Sequence, residues 1–257
     1  MAGNLFDSII FGPLSSRRLG SSLGINLLPT TIKFCTFNCI YCECGWTEAS
    51  RVEQAQFYRA DEIRDLLEKR LIYLKEEKVE IDSLTFAGNG EPTVHPEFAD
   101  IIADTIRLRN IYYPKAKISV LSNSTMLAHD EVLEALKKIN NIMKLDAGTE
   151  KIFQLINMPR IHITLSAVVE NLKKFHGKLI IQSMFLRGEM HGKIIDNTCD
   201  EEVNAWLAHI AAIKPKQVML YSLDRRPPLA KLEKISKEEL QIIADKVTQL
   251  NIKADVF

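Results

Sequence analysis

Short runs of β-branched and aliphatic residues alternate with amphipathic stretches along the whole chain, and this alternation limits the fold more than any other feature. The runs fall at 23–28, 81–87, 118–123, 142–146, 179–186, 218–223 and 252–257; helical patterns lie between them near 61–74, 97–109, 130–139, 149–157, 165–175, 200–213 and 237–249. In the first helix Ile63, Leu66, Leu67, Leu71 and Leu74 share one face while Arg64, Asp65, Glu68 and Lys69 fall outside it, the spacing by which a helix covers a sheet. Thr198 with Glu201, and Ser236 with Glu239, predict capping boxes at two helix starts. The last helix is expected to bury Leu240, Ile243, Ala244, Val247 and Leu250. Repeated strand and helix units with short links imply parallel strands, right-handed crossovers and outer helices. They build either an open partial barrel or a doubly wound sheet, which sequence period alone does not separate. In both, ligands gather at the carboxyl ends of the strands.

The 257 residues are 46% hydrophobic and 26% charged, which excludes disordered and collagen-like chains. With no internal repeat or low-complexity linker, residues 1–257 read as a single domain: an N-terminal arm at 1–22, a core at 23–223, and a C-terminal helix and strand at 224–257. Thirty-three Lys and Arg balance thirty-three Asp and Glu, so any nucleic-acid binding needs a local patch. No apolar run approaches the roughly eighteen residues of a membrane span. The start, MAGNLFDSIIFG, lacks a basic segment before a long hydrophobic one, so the chain is expected in the cytoplasm, without membrane contact.

Of five cysteines, four crowd between Cys35 and Cys44, with Cys199 alone far downstream. That spacing disfavours a secreted disulfide framework and makes metal binding the leading reading. Cys35, Cys39 and Cys42 form a CxxxCxxC loop directly after the first strand and the turn at Pro29 and Thr30. Soft thiolates on one short loop suit zinc or iron–sulfur. Cys44 could complete a zinc site, although its one-residue gap from Cys42 is tighter than usual zinc spacings. Three cysteines without a fourth partner suggest instead a four-iron cluster with one iron open to a substrate or cofactor.

This loop, with the aromatic Tyr41 just before its third cysteine, resembles the radical S-adenosylmethionine (SAM) family. Gly88-Asn89-Gly90-Glu91-Pro92, at the end of the second strand, is similar to the family's GGEP segment. The resemblance implies a partial (β/α)6 TIM-like barrel and a [4Fe–4S] cluster held by Cys35, Cys39 and Cys42. SAM would be chelated to the open iron and cleaved to a 5'-deoxyadenosyl radical that abstracts hydrogen from a substrate. It also implies an electron donor such as flavodoxin or ferredoxin.

On that reading, Gly88 and Gly90 let backbone groups approach the methionyl ammonium, with Asn89 between them and Glu91 offering a carboxylate; by themselves these residues would equally end a strand in a turn. Tyr41 is expected beside the adenine through its backbone and ring, or simply excludes solvent from the cluster. Ser122 and Asn123 end the third strand near the cofactor's ribose or carboxylate, or serve there as turn and cap residues. Lys144 and Asp146, two residues apart on the fourth strand, share a face. They either pair at the surface or, inside a barrel mouth, bind cofactor or substrate. Activating enzymes of glycyl-radical proteins carry a similar pair in a different order. Gln182 interrupts the fifth strand and needs polar partners, which adenine or ribose would supply. Met184 and Phe185 read as packing, His95 as a loop or helix-start residue, and Cys199 as an inert thiol at a helix start.

Arginines occur with turn residues twice, at Arg17 and Arg18, and at Arg225 and Arg226 after Tyr221 and Asp224. Their forks suit carboxylate or phosphate, so these residues are substrate candidates, with surface ion pairs as the competing reading. The segment FGPLSSRRLGSSLGIN followed by the cysteine loop is similar to wyosine-forming tRNA-modifying enzymes, but cysteines for their second cluster are missing. The compact length resembles glycyl-radical activating enzymes. The substrate, whether small molecule, protein or tRNA, is left open. The reading from another class is a noncatalytic zinc module held by Cys35, Cys39, Cys42 and Cys44.

Overall fold

A computed structural model describes residues 4–53, 55–224, 229 and 231–257. The chain opens with β1 (Ile10–Ser16) and β2 (Gly20–Ile25), then α1 (Ala49–Val52), α2 (Ala60–Glu76), β3 (Ser83–Phe86), α3 (Phe98–Tyr112), β4 (Lys117–Ser122), α4 (Asp130–Lys137), β5 (Asn140–Lys144), α5 (Glu150–Ile156) and α6 (Leu165–Lys173). It continues with β6 (Ile180–Met184), β7 (Leu186–Met190), β8 (Lys193–Asp196), α7 (Asp200–Ile213), β9 (Gln217–Tyr221), β10 (Leu232–Lys234), α8 (Lys237–Thr248) and β11 (Lys253–Val256). The main sheet has the order β1-β2-β3-β4-β5-β6-β9-β11. From β2 onward every pairing is parallel; β1 alone runs antiparallel, on β2.

The strand order never reverses. Each right-handed crossover therefore steps the same way and leaves its helix on the same face, as a barrel needs and a doubly wound sheet does not. The other face closes on itself: Ile142 of β5, Ile180 of β6 and Met219 of β9 form a small apolar cluster with Leu19, Leu121 and Phe257 packed against it. Outside lies the larger core, where Ile63, Leu67, Leu71 and Leu74 of α2 are buried with Leu84 and Phe86 of β3. The partial barrel expected from the sequence is the fold of this chain.

Several local readings need correction. Leu66, on the flank of the α2 stripe, is 41% exposed, and Leu250, beyond the end of α8, is 38% exposed. Thr198 caps nothing, because both its backbone N–H and its hydroxyl donate to Asp196 Oδ1; α7 starts from Cys199, with no side-chain cap. Ser236 and Glu239 do form the expected capping box on α8. Within the arm read at 1–22, β1 is a strand of the main sheet. The run read at 179–186 is two strands, since β7 leaves β6 after Phe185 and joins a separate antiparallel sheet of order β10-β7-β8.

Candidate metal centre and cofactor site

The cysteine loop lies between two backbone clamps at the carboxyl end of the sheet. On one side Phe34 N–H donates to Asn89 O (2.8 Å) and Glu91 N–H donates to Phe34 O (3.1 Å). On the other, Ile40 N–H donates to Ile156 O (3.0 Å) and Arg160 N–H donates to Thr36 O (2.8 Å). The thiols of Cys35, Cys39 and Cys42 are free and line a cavity of about 220 Å³.

Each of these sulfurs has polar company. Cys35 Sγ accepts from Phe37 N–H (3.4 Å) and Asn123 Nδ2 (3.6 Å), and Cys39 Sγ accepts from Asn157 Nδ2 (3.5 Å). Burial pushes the Cys35 thiol up to about 12 and raises Cys39 as well. Cys42 is lowered to about 5, chiefly by its hydrogen bond with Cys44 and then by the Lys33 ammonium, whereas the same bond raises Cys44. Lys33 is only 4% exposed and donates to Gly45 O at 2.8 Å. Burial alone would lower its pKa, but electrostatic attraction to Cys42, Cys35 and Cys39 outweighs that and raises it.

Hydrogen-bond donors on the sulfurs and a buried cation beside them suit an anionic thiolate-bound cluster, so the residues present fit an iron–sulfur group. They do not favour a four-thiolate zinc staple. Cys44 Sγ lines the same cavity and hydrogen-bonds with Cys42, but it also reaches Gly88 O at 3.4 Å. Among the described residues no three His, Cys, Asp or Glu side chains stand close enough to share one metal ion.

The segment from Gly88 to Glu91 mainly supports the loop. A Cβ on Gly88 would stand 2.5 Å from Asn26 Oδ1, and one on Gly90 would stand 1.9 Å from Phe34 O. On their Cβ side these glycines thus meet the protein itself, while Gly88, Gly90 and Glu91 also line the cavity that holds the cysteines. Asn89 is fully buried and faces away from the sulfurs, donating from Nδ2 to Phe6 O (2.8 Å) and Pro29 O (2.9 Å). Both carboxylate oxygens of Glu91 are engaged. Oε1 accepts from Thr93 N–H (3.1 Å), Thr93 Oγ1 (2.5 Å) and Ser122 Oγ (2.8 Å), and Oε2 accepts from Asn123 N–H (2.6 Å). Burial raises the Glu91 pKa against the pull of those bonds. Glu91 therefore ties the end of β3 to the end of β4. Asn123 extends the tie to the cysteine loop by donating from Nδ2 to Thr36 Oγ1 at 2.8 Å.

Lys144 and Asp146 realise both of the alternatives open for them. They pair with each other at 3.3 Å, and they do so inside the barrel mouth, with side chains 15% and 0% exposed. Tyr41 stands between them: its hydroxyl donates to Asp146 Oδ2 (2.5 Å) and accepts from Lys144 Nζ, which also lies 4.9 Å from the ring centre. Asp146 accepts further from Asn157 Nδ2 (2.8 Å) and Met184 N–H (2.9 Å). Burial and the Asp146 carboxylate raise the Tyr41 pKa well above normal, so the phenol keeps its proton. Lys144 would be lowered by burial, but Asp146 reverses this and raises it.

Of the substrate candidates, Arg17 and Asp224 pair with each other at 3.0 Å with both side chains more than half exposed, the surface alternative. Arg18 turns inward, donates to Gln182 Oε1 (2.9 Å), and stands over the ring of Tyr221. Arg225 and Arg226 lie outside the described residues. The sequence reading passed over Lys33 and Asn157. Lys33 carries a signal, a lone cation within Thr31-Ile32-Lys33-Phe34 immediately before Cys35; Asn157 carries none, since it reaches the site only through the packing of α5.

Residues 30–196 match the family described as the radical SAM superfamily, a stretch that contains the cysteine loop and more than half of the chain. A protein of Brachyspira hyodysenteriae named GTPase Obg is 30% identical over 237 residues, which cover 90% of this chain and 32% of that protein. A UPF0026 protein of Methanocaldococcus jannaschii is 35% identical over 184 residues, 70% of this chain and 54% of that protein. The chain thus spans about a third and about half of these relatives. A solved radical SAM methyltransferase from Sphaerobacter thermophilus matches at TM-score 0.66 over 92% of this chain and 65% of its own; at 13% identity it speaks for the fold. No described helix is long and apolar enough to cross a membrane. The chain belongs to the radical SAM superfamily of enzymes, for which SAM and an iron–sulfur cluster are the implied cofactors.

Proposed function

We propose that this chain reductively cleaves SAM at a [4Fe–4S] cluster ligated by Cys35, Cys39 and Cys42, with a flavodoxin or ferredoxin as electron donor. Cys35, Cys39 and Cys42 would hold the cluster, which when bound would supply one-electron reduction of SAM and, through it, hydrogen abstraction from a substrate. The observation that carries this reading is the cavity itself, where three free thiols share walls with Lys33, Lys144 and Gln182.

The chain's own groups have separate tasks. Asn123, Asn157 and the Phe37 N–H hold the sulfurs by hydrogen bonds, and Lys33 offsets their negative charge. Glu91, fully engaged, fixes the strand ends so that Ser122 and Asn123 keep their positions. Lys144, held by Tyr41 and Asp146, presents a cation to the same cavity for an acidic or hydroxyl group of the cofactor.

Anaerobically reconstituted protein should be brown, bleach with dithionite, and convert SAM to 5'-deoxyadenosine. Stoichiometric zinc, no iron and no SAM cleavage would refute the assignment.

A further inference from the structure

Arg17 and Arg18 are neighbours in the turn between β1 and β2, yet their side chains take opposite courses. Ser16 Oγ accepts from the backbone N–H groups of Arg18 (3.3 Å) and Leu19 (3.2 Å), which fixes the turn. Arg17 goes outward to Asp224. Arg18 goes inward, where Nη1 donates to Gln182 Oε1 at 2.9 Å and the guanidinium carbon lies 4.9 Å from the centre of the Tyr221 ring. Gln182 lies on β6 and Tyr221 on its neighbour β9, so Arg18 spans the lumen from the first hairpin to the far wall.

Two cavities meet at this side chain. The inner one holds the cysteines. The outer one, of about 360 Å³, is walled by Phe11 and Leu14 of β1 on one side and by Tyr221 and Phe257 on the other, between the two edges of the main sheet. Arg18 and Tyr221 line both.

The Arg18 side chain is only partly buried, so its guanidinium stays charged and open to an anion that enters the cavities it lines. Among the described residues, no carboxylate lies within ion-pair distance of Arg18. Its side-chain partners there are one neutral amide oxygen and one ring face. The inner-cavity carboxylates are taken, Glu91 by Thr93, Ser122 and Asn123, and Asp146 by Tyr41, Lys144 and Asn157. The remaining guanidinium donors have no partner among the described side chains and are open to water or to an anionic ligand. Lys33 and Lys144 already supply cations beside the cysteines, so the cofactor's carboxylate does not require Arg18.

We infer that Arg18 binds a carboxylate or phosphate group of the substrate, which enters through the outer cavity and presents its carbon skeleton to the inner one. This takes the inner cavity as the cofactor's place, as proposed above. The substrate is then a small anionic molecule, or the anionic end of a larger one.

The test is calorimetric titration of the anaerobically reconstituted protein with inorganic phosphate and with malonate, at saturating SAM. At least one anion should bind, Arg18→Gln should weaken it tenfold or more, and Arg17→Gln should change it less than twofold. Equal affinity in Arg18→Gln, or no binding of either anion to the unaltered protein, overturns the inference. An anion that binds in a parallel titration without SAM, is weakened by Arg18→Gln there, and is displaced when SAM is added also overturns it, because Arg18 would then serve the cofactor's carboxylate. Anion binding at Arg18 in a protein that cannot cleave SAM would sink the proposed activity and leave this site standing; SAM cleavage without anion binding would do the reverse.

Discussion

The carbonyl oxygen of Phe34 occupies the place where a side chain on residue 90 would begin, 1.9 Å from an ideal Cβ on Gly90. Gly90 also has φ +145°, a region in which side chains are strained. Since Glu91 N–H donates to the same carbonyl, the junction holds the cysteine loop to β3. Gly90→Ala should destabilise the protein by about 3 kcal/mol and reduce its iron loading on reconstitution. Urea unfolding and iron analysis check this; a stability within about 0.5 kcal/mol of the unaltered protein would show that the loop can move aside.

The cysteines should divide sharply. Cys42→Ser should lose most of its iron, whereas Cys44→Ser should keep it, because a serine hydroxyl can still hydrogen-bond to Cys42. Equal loss in both variants would make Cys44 a ligand. Iron and sulfide analysis after anaerobic reconstitution decides.

Around Asp146 the order of effects is itself a prediction. Tyr41→Phe removes one hydroxyl but leaves Lys144 paired with Asp146, so it should cost about 1–2 kcal/mol. Asp146→Asn leaves the Lys144 ammonium buried without its counter-charge and should cost about 3 kcal/mol or more. Denaturant titration of the two variants under one set of conditions gives the ranking, and a reversed order would show that the Lys144–Asp146 pair contributes little.

His95 should make stability depend on pH. Glu97 N–H donates to His95 Nδ1 at 3.1 Å, so that nitrogen is unprotonated, and Nε2–H donates to Tyr58 O at 2.9 Å. Burial also lowers the His95 pKa from 6.5. The folded state thus binds fewer protons than the unfolded one. This contribution is complete above about pH 6.5 and is lost as pH falls toward the depressed folded value, by at most about 1.4 kcal/mol per pH unit. Between pH 7 and 5 the unaltered protein should lose more stability than His95→Gln; parallel curves would mean that His95 takes up its proton equally readily in the folded and unfolded states, so that neither burial nor the Glu97 N–H bond holds the ring neutral.

Much of the fold was legible because its signals are local. Hydrophobic period located the parallel strands and the helices that cover them, and Ser236 with Glu239 announced the start of α8. Other elements carried weak or misleading patterns. Gly12 and Pro13 interrupt the run that becomes β1, and the continuous apolar stretch through Phe185 hid the break between β6 and β7. Thr198 and Glu201 had the right spacing for a cap, but Asp196 was nearer and took the hydroxyl.

The sequence by itself determined the spacing of the cysteine loop, the family to which it points, and most of the parallel strands, because motif spacing and strand period span only a few residues. Tertiary structure decided how the charged groups divide: Glu91 and Asn89 into the scaffold, Lys144 and Asp146 into a pair around Tyr41, Arg17 to the surface and Arg18 into the lumen. These fates depend on partners tens of residues away, brought within hydrogen-bond reach only when the sheet curls. No local pattern encodes that distance.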